Sequence, residues 1–408
     1  MRGWETKALG EVANFGRGLT YSKADEVSHS RNGVLRANNI DLATKSLDLA
    51  DIRYIADSVE IPHSKKVRKG SLLICTASGS RSHLGKVALI DADYDLAFGG
   101  FMGLITVRPD VDGRFLYYLL TSERFQEKLD SLATGTNINN LKFKDIADFP
   151  IPLPPLEEQR RIVAVLDEAF AAIATATANA EKNLVSARDL PSAALTQFGL
   201  AGGNAELHRL GDLVTRLTNG YVGPTRNIYV DEGVPYLLAR HVRDDVLTFD
   251  GRTHISPEFN AANKKSILVT GDVLLVQSGH IGHSAVVPPE HAGHNCHAMI
   301  VITPKPRLLG EYLSAYFNSI QGRDATTRIR SGSTVPHLTC REVRELMIPV
   351  PSLEAQGALL EKYKAVQFSS KALADVYMRK LAALSELKQS LLHRAFSGEL
   401  TEREALAA

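Results

Sequence analysis

The sequence predicts an α+β protein with two tandem mixed α/β globules, each followed by a long helix. The two helices are expected to pack as an antiparallel coiled coil with pseudo-twofold symmetry. Three observations carry this. First, the chain repeats itself: Pro150-Ile151-Pro152-Leu153-Pro154-Pro155-Leu156-Glu157-Glu158-Gln159 returns as Met347-Ile348-Pro349-Val350-Pro351-Ser352-Leu353-Glu354-Ala355-Gln356, an offset of 197 residues. An internal repeat of that size governs the architecture. Second, short apolar runs bounded by Gly, Asn, Asp and Pro precede each copy of this segment. Third, apolar or small residues follow each copy at alternating spacings of 4 and 3, the 3.5-residue period of a coiled coil.

At 408 residues the chain is too long for one core. Residues 1–149 form the first globule, 150–200 the proline-led entry and first helix, and 201–205 a linker. Residues 206–346 form the second globule, 347–398 the second entry and helix, and 399–408 a tail. Within the globules the repeat continues. Leu9-Gly10-Glu11-Val12 matches Leu210-Gly211-Asp212-Leu213, and Gly70-Ser71-Leu72-Leu73-Ile74 matches Gly271-Asp272-Val273-Leu274-Leu275. Leu72–Ile74 and Val273–Val276 read as buried strands, Phe115–Leu120 and Tyr312–Phe317 as short helices.

The expected seam of the first long helix runs Ile162, Leu166, Ala169, Ile173, Ala176, Ala180, Asn183, Ala187, Leu190 and Ala194. In the second it runs Val366, Ser370, Leu373, Tyr377, Lys380, Leu384, Leu387 and Leu391. Small residues against large ones favour close approach, with Asn183 and Lys380 as polar register markers. Pro191 is expected to kink or interrupt the first helix. A helix of about 40 residues is roughly 60 Å long, so the pair would act as a spacer.

Net charge is +1, which gives no whole-chain sign of a nucleic-acid partner. Locally, His63-Ser64-Lys65-Lys66-Val67-Arg68-Lys69 carries four Lys or Arg and no acid, which suits either a solvated loop or a DNA-facing one. Three scattered cysteines, Cys75, Cys296 and Cys340, fit a reducing compartment rather than a disulfide framework. No stretch of about 18 uncharged apolar residues and no apolar leader is read, so a cytoplasmic protein without a membrane span is expected.

Candidate DNA contacts cluster at loops flanking the apolar runs. Arg36, Asn38 and Asn39, with Arg240, His241 and Arg243, follow matched runs and suit guanine and adenine edges. Gly79-Ser80-Arg81-Ser82-His83-Leu84-Gly85-Lys86 resembles a phosphate loop but has the wrong spacing, and Val87 stands where a Mg-binding hydroxyl belongs. Ser78, Ser80, Arg81 and Lys86 are instead candidate contacts to DNA, as are Ser278, His280 and His283 in the second copy. Asn14, Arg17, Thr20 and Tyr21, with Asn219 and Tyr221, lie in matching Gly-rich loops. His280, His283, His291, His294 and His297 crowd near Cys296, yet they fit no compact four-ligand zinc pattern and no metal site is assigned.

At the proline segments, at Lys388-Gln389-Ser390-Leu391-Leu392-His393-Arg394-Ala395-Phe396-Ser397-Gly398-Glu399-Leu400 and at Ser331-Gly332-Ser333-Thr334-Val335-Pro336-His337-Leu338, the chain resembles the specificity subunit of Type I restriction-modification enzymes. The resemblance covers essentially the whole chain. It implies two target-recognition domains, each reading one half of a split, non-palindromic duplex DNA target across a helical ruler. Ser333, Thr334 and His337 then become candidate DNA contacts. The first-copy counterparts are Thr136 and Asn137, in a loop that lacks the Pro-His pair. The resemblance also implies docking of two adenine-methyltransferase subunits on the helices, at seam residues Ile162, Leu166, Ile173, Asn183, Leu373, Tyr377, Lys380, Leu384 and Leu391. S-adenosylmethionine would sit on those partners, and ATP and Mg on a restriction (translocase-nuclease) partner. No methylation motif, helicase phosphate loop or paired-carboxylate nuclease core is found, so no cofactor is assigned to this chain and a non-catalytic subunit is expected. The alternatives are a coiled-coil adaptor whose globules bind something other than DNA, or a specificity subunit serving a methylation-only system.

Overall fold

The computed structural model describes residues 4–42, 44–80, 83–133, 140–197, 205–243, 245–330 and 336–400. It contains two compact units, Met1–Asn179 with Lys380–Ala408, and Ala180–Arg379. By packing, each long helix contributes residues to both units.

In the first unit the central sheet is four-stranded and antiparallel. Its order is Ala13–Arg17, Met102–Val107, Leu72–Cys75, Val87–Leu89. A second sheet runs Glu26–Val27, Arg53–Ile55, Asn32–Leu35, Leu96–Phe98, with its last pair parallel. The second unit repeats both sheets strand for strand. Val214–Asn219, Met299–Pro304, Val273–Val276 and Ser284–Val286 form one. Tyr229–Val230, His254–Ile255, Val234–Leu237 and Asn295–Cys296 form the other, again closed by a parallel pair. The apolar runs read from the sequence are the central strands: Leu72, Leu73, Ile74 and Val273 to Val276 have no more than a trace of exposure.

The proline-fenced segments are short strands. Among the described residues, Pro150–Leu153 pairs only with Glu5–Ala8, and Met347–Pro349 only with Leu207–Arg209. Proline lacks a ladder donor, so it is confined to such two-stranded or edge positions. Each strand delivers the chain into a long helix, Leu156–Gln197 or Leu353–Ser397.

The helix entry is fixed by the glutamine of the repeated motif. Gln159 is fully buried; its Oε1 accepts from Asp112 N (2.8 Å), and its Nε2 donates to Asp110 O (3.0 Å) and Pro154 O (2.9 Å). Gln356 makes the same three bonds, to Leu309 N (2.9 Å), Arg307 O (3.0 Å) and Pro351 O (2.9 Å).

Beyond the entry, Ile162 and Leu166 complete the first core together with Leu392, Ala395, Phe396 and Leu400 from the end of the second helix. Lys388 lies over the Phe170 ring at 5.2 Å. As residue numbers rise along one helix they fall along the other, so the packing is antiparallel. The second unit behaves alike: Ser370 Oγ reaches Ala187 O, and Leu195 shares a core with Leu360 and Tyr363. By length and composition Leu156–Leu195 could cross a membrane. Here its apolar side chains Ile162 and Leu166 fill a protein core, and its Asp167 pairs with Arg114 at 2.8 Å.

The heptad reading needs correction at alternate positions. In the second helix the inward residues are Gln356, Leu360, Tyr363, Gln367, Ser370, Ala374, Tyr377, Leu381, Leu384 and Lys388. The expected seam shares Ser370, Tyr377 and Leu384 with it, and Val366 and Leu391 are half-buried, but Leu373, Lys380 and Leu387 are exposed. In the first helix Ile162 and Leu166 are buried and Ile173 half-buried, whereas Asn183 and Leu190 are exposed beside the half-buried Leu184 and Pro191. Asn183 and Lys380 therefore mark no register. Large apolar residues one step off the seam drew the pattern sideways.

Pro191 does not interrupt its helix, which runs on to Gln197. Proline removes the N–H that would bond the carbonyl four residues back, and that carbonyl is Ala187 O. Ser370 Oγ, on the other helix, donates to it at 2.7 Å. The interhelical bond thus satisfies the acceptor that the proline orphans. Replacing Ser370 by Ala is expected to destabilise the second unit by about 1–3 kcal/mol, because Ala187 O loses its donor. Lys380→Ala and Asn183→Ala should each change stability by less than about 0.5 kcal/mol. Urea unfolding midpoints of the three variants test this, and a large loss for Asn183 would restore the original seam.

Candidate nucleic-acid interface

The groove in the first unit is built from four separate stretches of chain. The loop after Arg17, the turn at Arg36–Asn38, the strand end at Ala77–Ser78 and the turn Gly99–Met102 enclose about 610 Å³. Two of these stretches touch through backbone: Leu19 N donates to Phe98 O at 2.7 Å, and Leu19 bridges Gly99 in parallel. A Cβ on Gly18 would lie 1.9 Å from Gly99 O, so only glycine permits this approach. Gly220 holds the matching place, where a Cβ would sit 2.5 Å from Cys296 O.

Of the sequence candidates, Thr20, Tyr21, Arg36, Asn38 and Ser78 line this groove. Asp51 orients two of them: its Oδ2 accepts from Asn38 Nδ2 at 2.9 Å and lies 3.4 Å from Arg36 Nη2. Arg36 Nε is buried without a hydrogen-bond partner. Ser78 Oγ accepts from Ser80 N at 3.1 Å, which shapes the exposed turn carrying Ser80.

Asn39 is a correction. It is buried, its Oδ1 accepts from Arg36 N (2.8 Å), and its Nδ2 donates to Asp48 O (2.9 Å) and Asp51 O (3.0 Å). It holds the turn and has nothing left for a base. His241 does the same work in the second unit, so it too is corrected. It is buried, its Nδ1 accepts from Leu238 N at 3.0 Å, and its Nε2 faces the Asp250 carboxylate at 3.1 Å. Lys86 is the third correction: it is buried, its Nζ donates to Ile40 O, and burial holds its pKa below the usual lysine value.

Arg240 is exposed and bonds Asp250 Oδ2 through Nε at 3.1 Å. The Arg240 hydrogen bond is the main cause that pulls the Asp250 carboxyl down to about 2. Arg243 Nη2 and His280 Nε2 lie 2.9 Å apart on the surface, and half-buried His283 contacts Arg323 at 3.0 Å. Ser278 bridges His337 in the antiparallel sense, matching the bridge from Ala77 to Asn140 in the first unit. Arg81, Thr136, Asn137, Ser333 and Thr334 lie outside the described residues.

The histidine-rich segment disperses. His291 and His294 face each other through Nδ1 at 3.2 Å, while His297 lies by Tyr236 and Tyr221. Among the described residues no group of three metal-ligating side chains converges. In the basic run, Lys65 Nζ donates to Arg17 O at 2.7 Å and Lys66 pairs with Asp95, so these two lysines fasten neighbouring loops. The sequence reading missed Asp51, Asp250 and Phe101, a groove residue that is 72 % exposed. Only the Gly99-Gly100 pair before Phe101 hints at a special turn.

The sequence matches the family described as Type I restriction modification DNA specificity domain twice, over residues 1–184 and 203–367. It is similar to the Type I restriction enzyme EcoKI specificity subunit of Escherichia coli, with 23 % identity over 98 % of this chain and 89 % of that protein. A putative Type I restriction enzyme specificity subunit, MjaX, of Methanocaldococcus jannaschii is 20 % identical over 97 % and 93 % of the two chains. A chain from a solved type I R-M system, described in terms of complex assembly and conformational transition, aligns with a TM-score of 0.78. It is 22 % identical, over 98 % of this chain and 99 % of that one. The HsdS subunit of Thermoanaerobacter tengcongensis aligns at 0.59, with 20 % identity and 98 % coverage of both chains.

Burial holds the pKa values of His241, His294 and His297 below the ordinary histidine value. Each is disfavoured as a cation in the folded state, so its stability contribution is complete above about pH 6.5 and is lost as pH falls through the folded pKa. Asp245, pushed up by burial to about 6, works in the opposite direction over the same interval. As pH falls from 7 to 5 the three histidines therefore cause a loss of protection in the second unit, and Asp245 opposes it. Asp245→Asn should steepen that loss by removing the opposing group. Hydrogen exchange corrected for intrinsic rates reads this in the second unit; an Asp245→Asn variant that loses no more protection than the wild type between pH 7 and pH 5 would contradict the assignment.

Proposed function

The chain belongs to the Type I restriction modification DNA specificity family, and from that premise we propose how its two halves divide the work. Each globule reads one half of a bipartite duplex DNA target, and the long helices carry the adenine-methyltransferase subunits that act on it. One observation carries this reading: the two globules share a backbone frame and differ at the rim. At the turn held by Asn39 or His241, the outward side chains are Arg36 and Asn38 in one copy and Leu238 and Arg240 in the other. Arginine suits guanine O6 and N7, and asparagine suits adenine N6 and N7. Equal frames with unequal rims read unequal half-sites, so the target is non-palindromic.

The docking surface follows from exposed apolar side chains on the helices. In the second unit Val185 and Leu190 on one helix, and Phe368, Leu373, Val376 and Met378 on the other, are all more than a third exposed. Large apolar side chains grouped on solvent-facing helix surfaces mark contact with another protein. In this reading the chain positions rather than catalyses. The methyltransferase partner supplies S-adenosylmethionine and draws the adenine out of the stack; a restriction partner, where present, supplies ATP and Mg chemistry.

Co-expression with the neighbouring methyltransferase, followed by single-molecule sequencing of genomic adenine methylation, is expected to yield a split motif with a fixed unread spacer. Arg36→Ala should relax the first half-site alone and Arg240→Ala the second alone, each by about 1–3 kcal/mol of base discrimination. Loss of specificity in the same half for both variants would overturn the division of labour.

A further inference from the structure

Among the described residues of the first unit, Phe101 is the most exposed large apolar side chain, at 72 %. Single exposed apolar residues are ordinary, but three features set this one apart. Its backbone is fastened: Phe101 O accepts from Thr76 N (2.9 Å), Ala77 N (3.1 Å) and Thr76 Oγ1 (2.9 Å). The ring is thus presented from a fixed main chain. It also shares its groove with Arg36, Asn38 and Ser78, whose polar groups suit base edges and phosphates. Finally, the second copy lacks it.

That absence can be located residue by residue. Phe98 and Cys296 end equivalent parallel strands, and Met102 and Met299 begin equivalent central strands. Between them the first copy has Gly99, Gly100 and Phe101, while the second has only His297 and Ala298. Ala298 closes the shorter turn at φ 45, in the left-handed region. The first copy therefore carries one extra residue in this turn, and Phe101 has no large apolar counterpart in the second.

We propose that Phe101 is a wedge that enters one base step of duplex DNA in the first half-site and stacks on an exposed base. This rests on the DNA-reading assignment above. Apolar wedges unstack a step at a cost of a few kcal/mol, recovered through stacking and the contacts the distortion permits. The cost is lowest at flexible pyrimidine–purine steps. Phe101 thus adds selectivity for deformability beside the bases that Arg36 and Asn38 contact, and does so in one half-site only.

The test uses the assembled methyltransferase complex and duplexes carrying its mapped target, with 2-aminopurine placed in turn through each half-site. Beyond the rise at the adenine that the partner flips, which Phe101→Ala should leave in place, the wild-type complex is expected to raise 2-aminopurine fluorescence at one further step of the first half-site. Phe101→Ala should abolish that rise and weaken binding roughly tenfold to hundredfold, the range for loss of one stacked base. The salt slope should stay unchanged, because no phosphate contact is removed. Phe101→Trp should retain both binding and signal. Binding by the Ala variant within twofold of wild type, or an unchanged fluorescence pattern, overturns the wedge. Loss of complex assembly in the Ala variant also overturns it, and assigns Phe101 to a protein contact. A wild-type complex that fails to bind the duplex at all overturns the DNA-reading assignment itself.

Discussion

Everything that positions the reading surfaces depends on one buried amide, used twice. Gln159 and Gln356 each bind the backbone at three points, joining the first turn of a long helix to the loop that enters the short helix at Gly113 or Gly310. A primary amide carries donors and an acceptor in one rigid plane. Glutamate offers no donor there at neutral pH, and an apolar side chain would leave three backbone groups unpaired. Each orphaned buried group costs about 1–3 kcal/mol, so the amide fixes the direction in which the helix leaves its globule. A reader and a spacer can only keep a common frame if that exit angle is constant.

The helices obey a looser rule. A straight α-helix drifts about 20° per heptad against a 3.5-residue repeat, so a strict heptad written along the sequence walks off the buried face. The inward face is chosen by contacts, not by the largest residues. Lys388 lies inward because its ammonium reaches the face of Phe170, while Leu373 and Leu387 remain outside. Ser370 and Pro191 show the same logic at the level of one bond. A proline is tolerated in mid-helix because the neighbouring helix supplies the donor it lacks.

Much of this was legible in the sequence, and the exceptions share a cause. The duplicated globule–helix unit, its central strands and its short helices follow from spacing and apolar runs, which report directly on burial. Polar side chains report on less. Asn39, His241 and Lys86 look like DNA contacts in the sequence because they are polar and lie in loops flanking strands, yet each turns inward to satisfy backbone. Capping and base reading use the same residue types. The discriminating signal is the paired geometry: Asn39 and His241 each accept from the N–H three residues earlier, a spacing visible only once the copies are superposed. Phe101 was illegible for the converse reason, since an apolar residue in a sequence reads as core.

Superposing the copies also separates what the fold needs from what the proposed reading would use for specificity. Lys45 and Asp245 both adopt left-handed backbone, at φ 54 and φ 69, and both reach the short helix beside them. Lys45 Nζ donates to Thr121 O at 2.9 Å, and Ser314 donates to Asp245. The backbone role is retained while the charge is inverted. The buried glutamines and the glycines at Gly18 and Gly220 are common to both copies, because each satisfies a constraint that has one solution. At the rim, the half-buried Arg36 and the exposed Asn38 and Phe101 do not close the turn, and they differ from Leu238, Arg240 and the shorter turn of the second copy. Exposed substitutions away from such constraints change stability by only about 0.5 kcal/mol either way. A protein built this way can exchange one target sequence for another without disturbing the frame that holds the two readers to their helices.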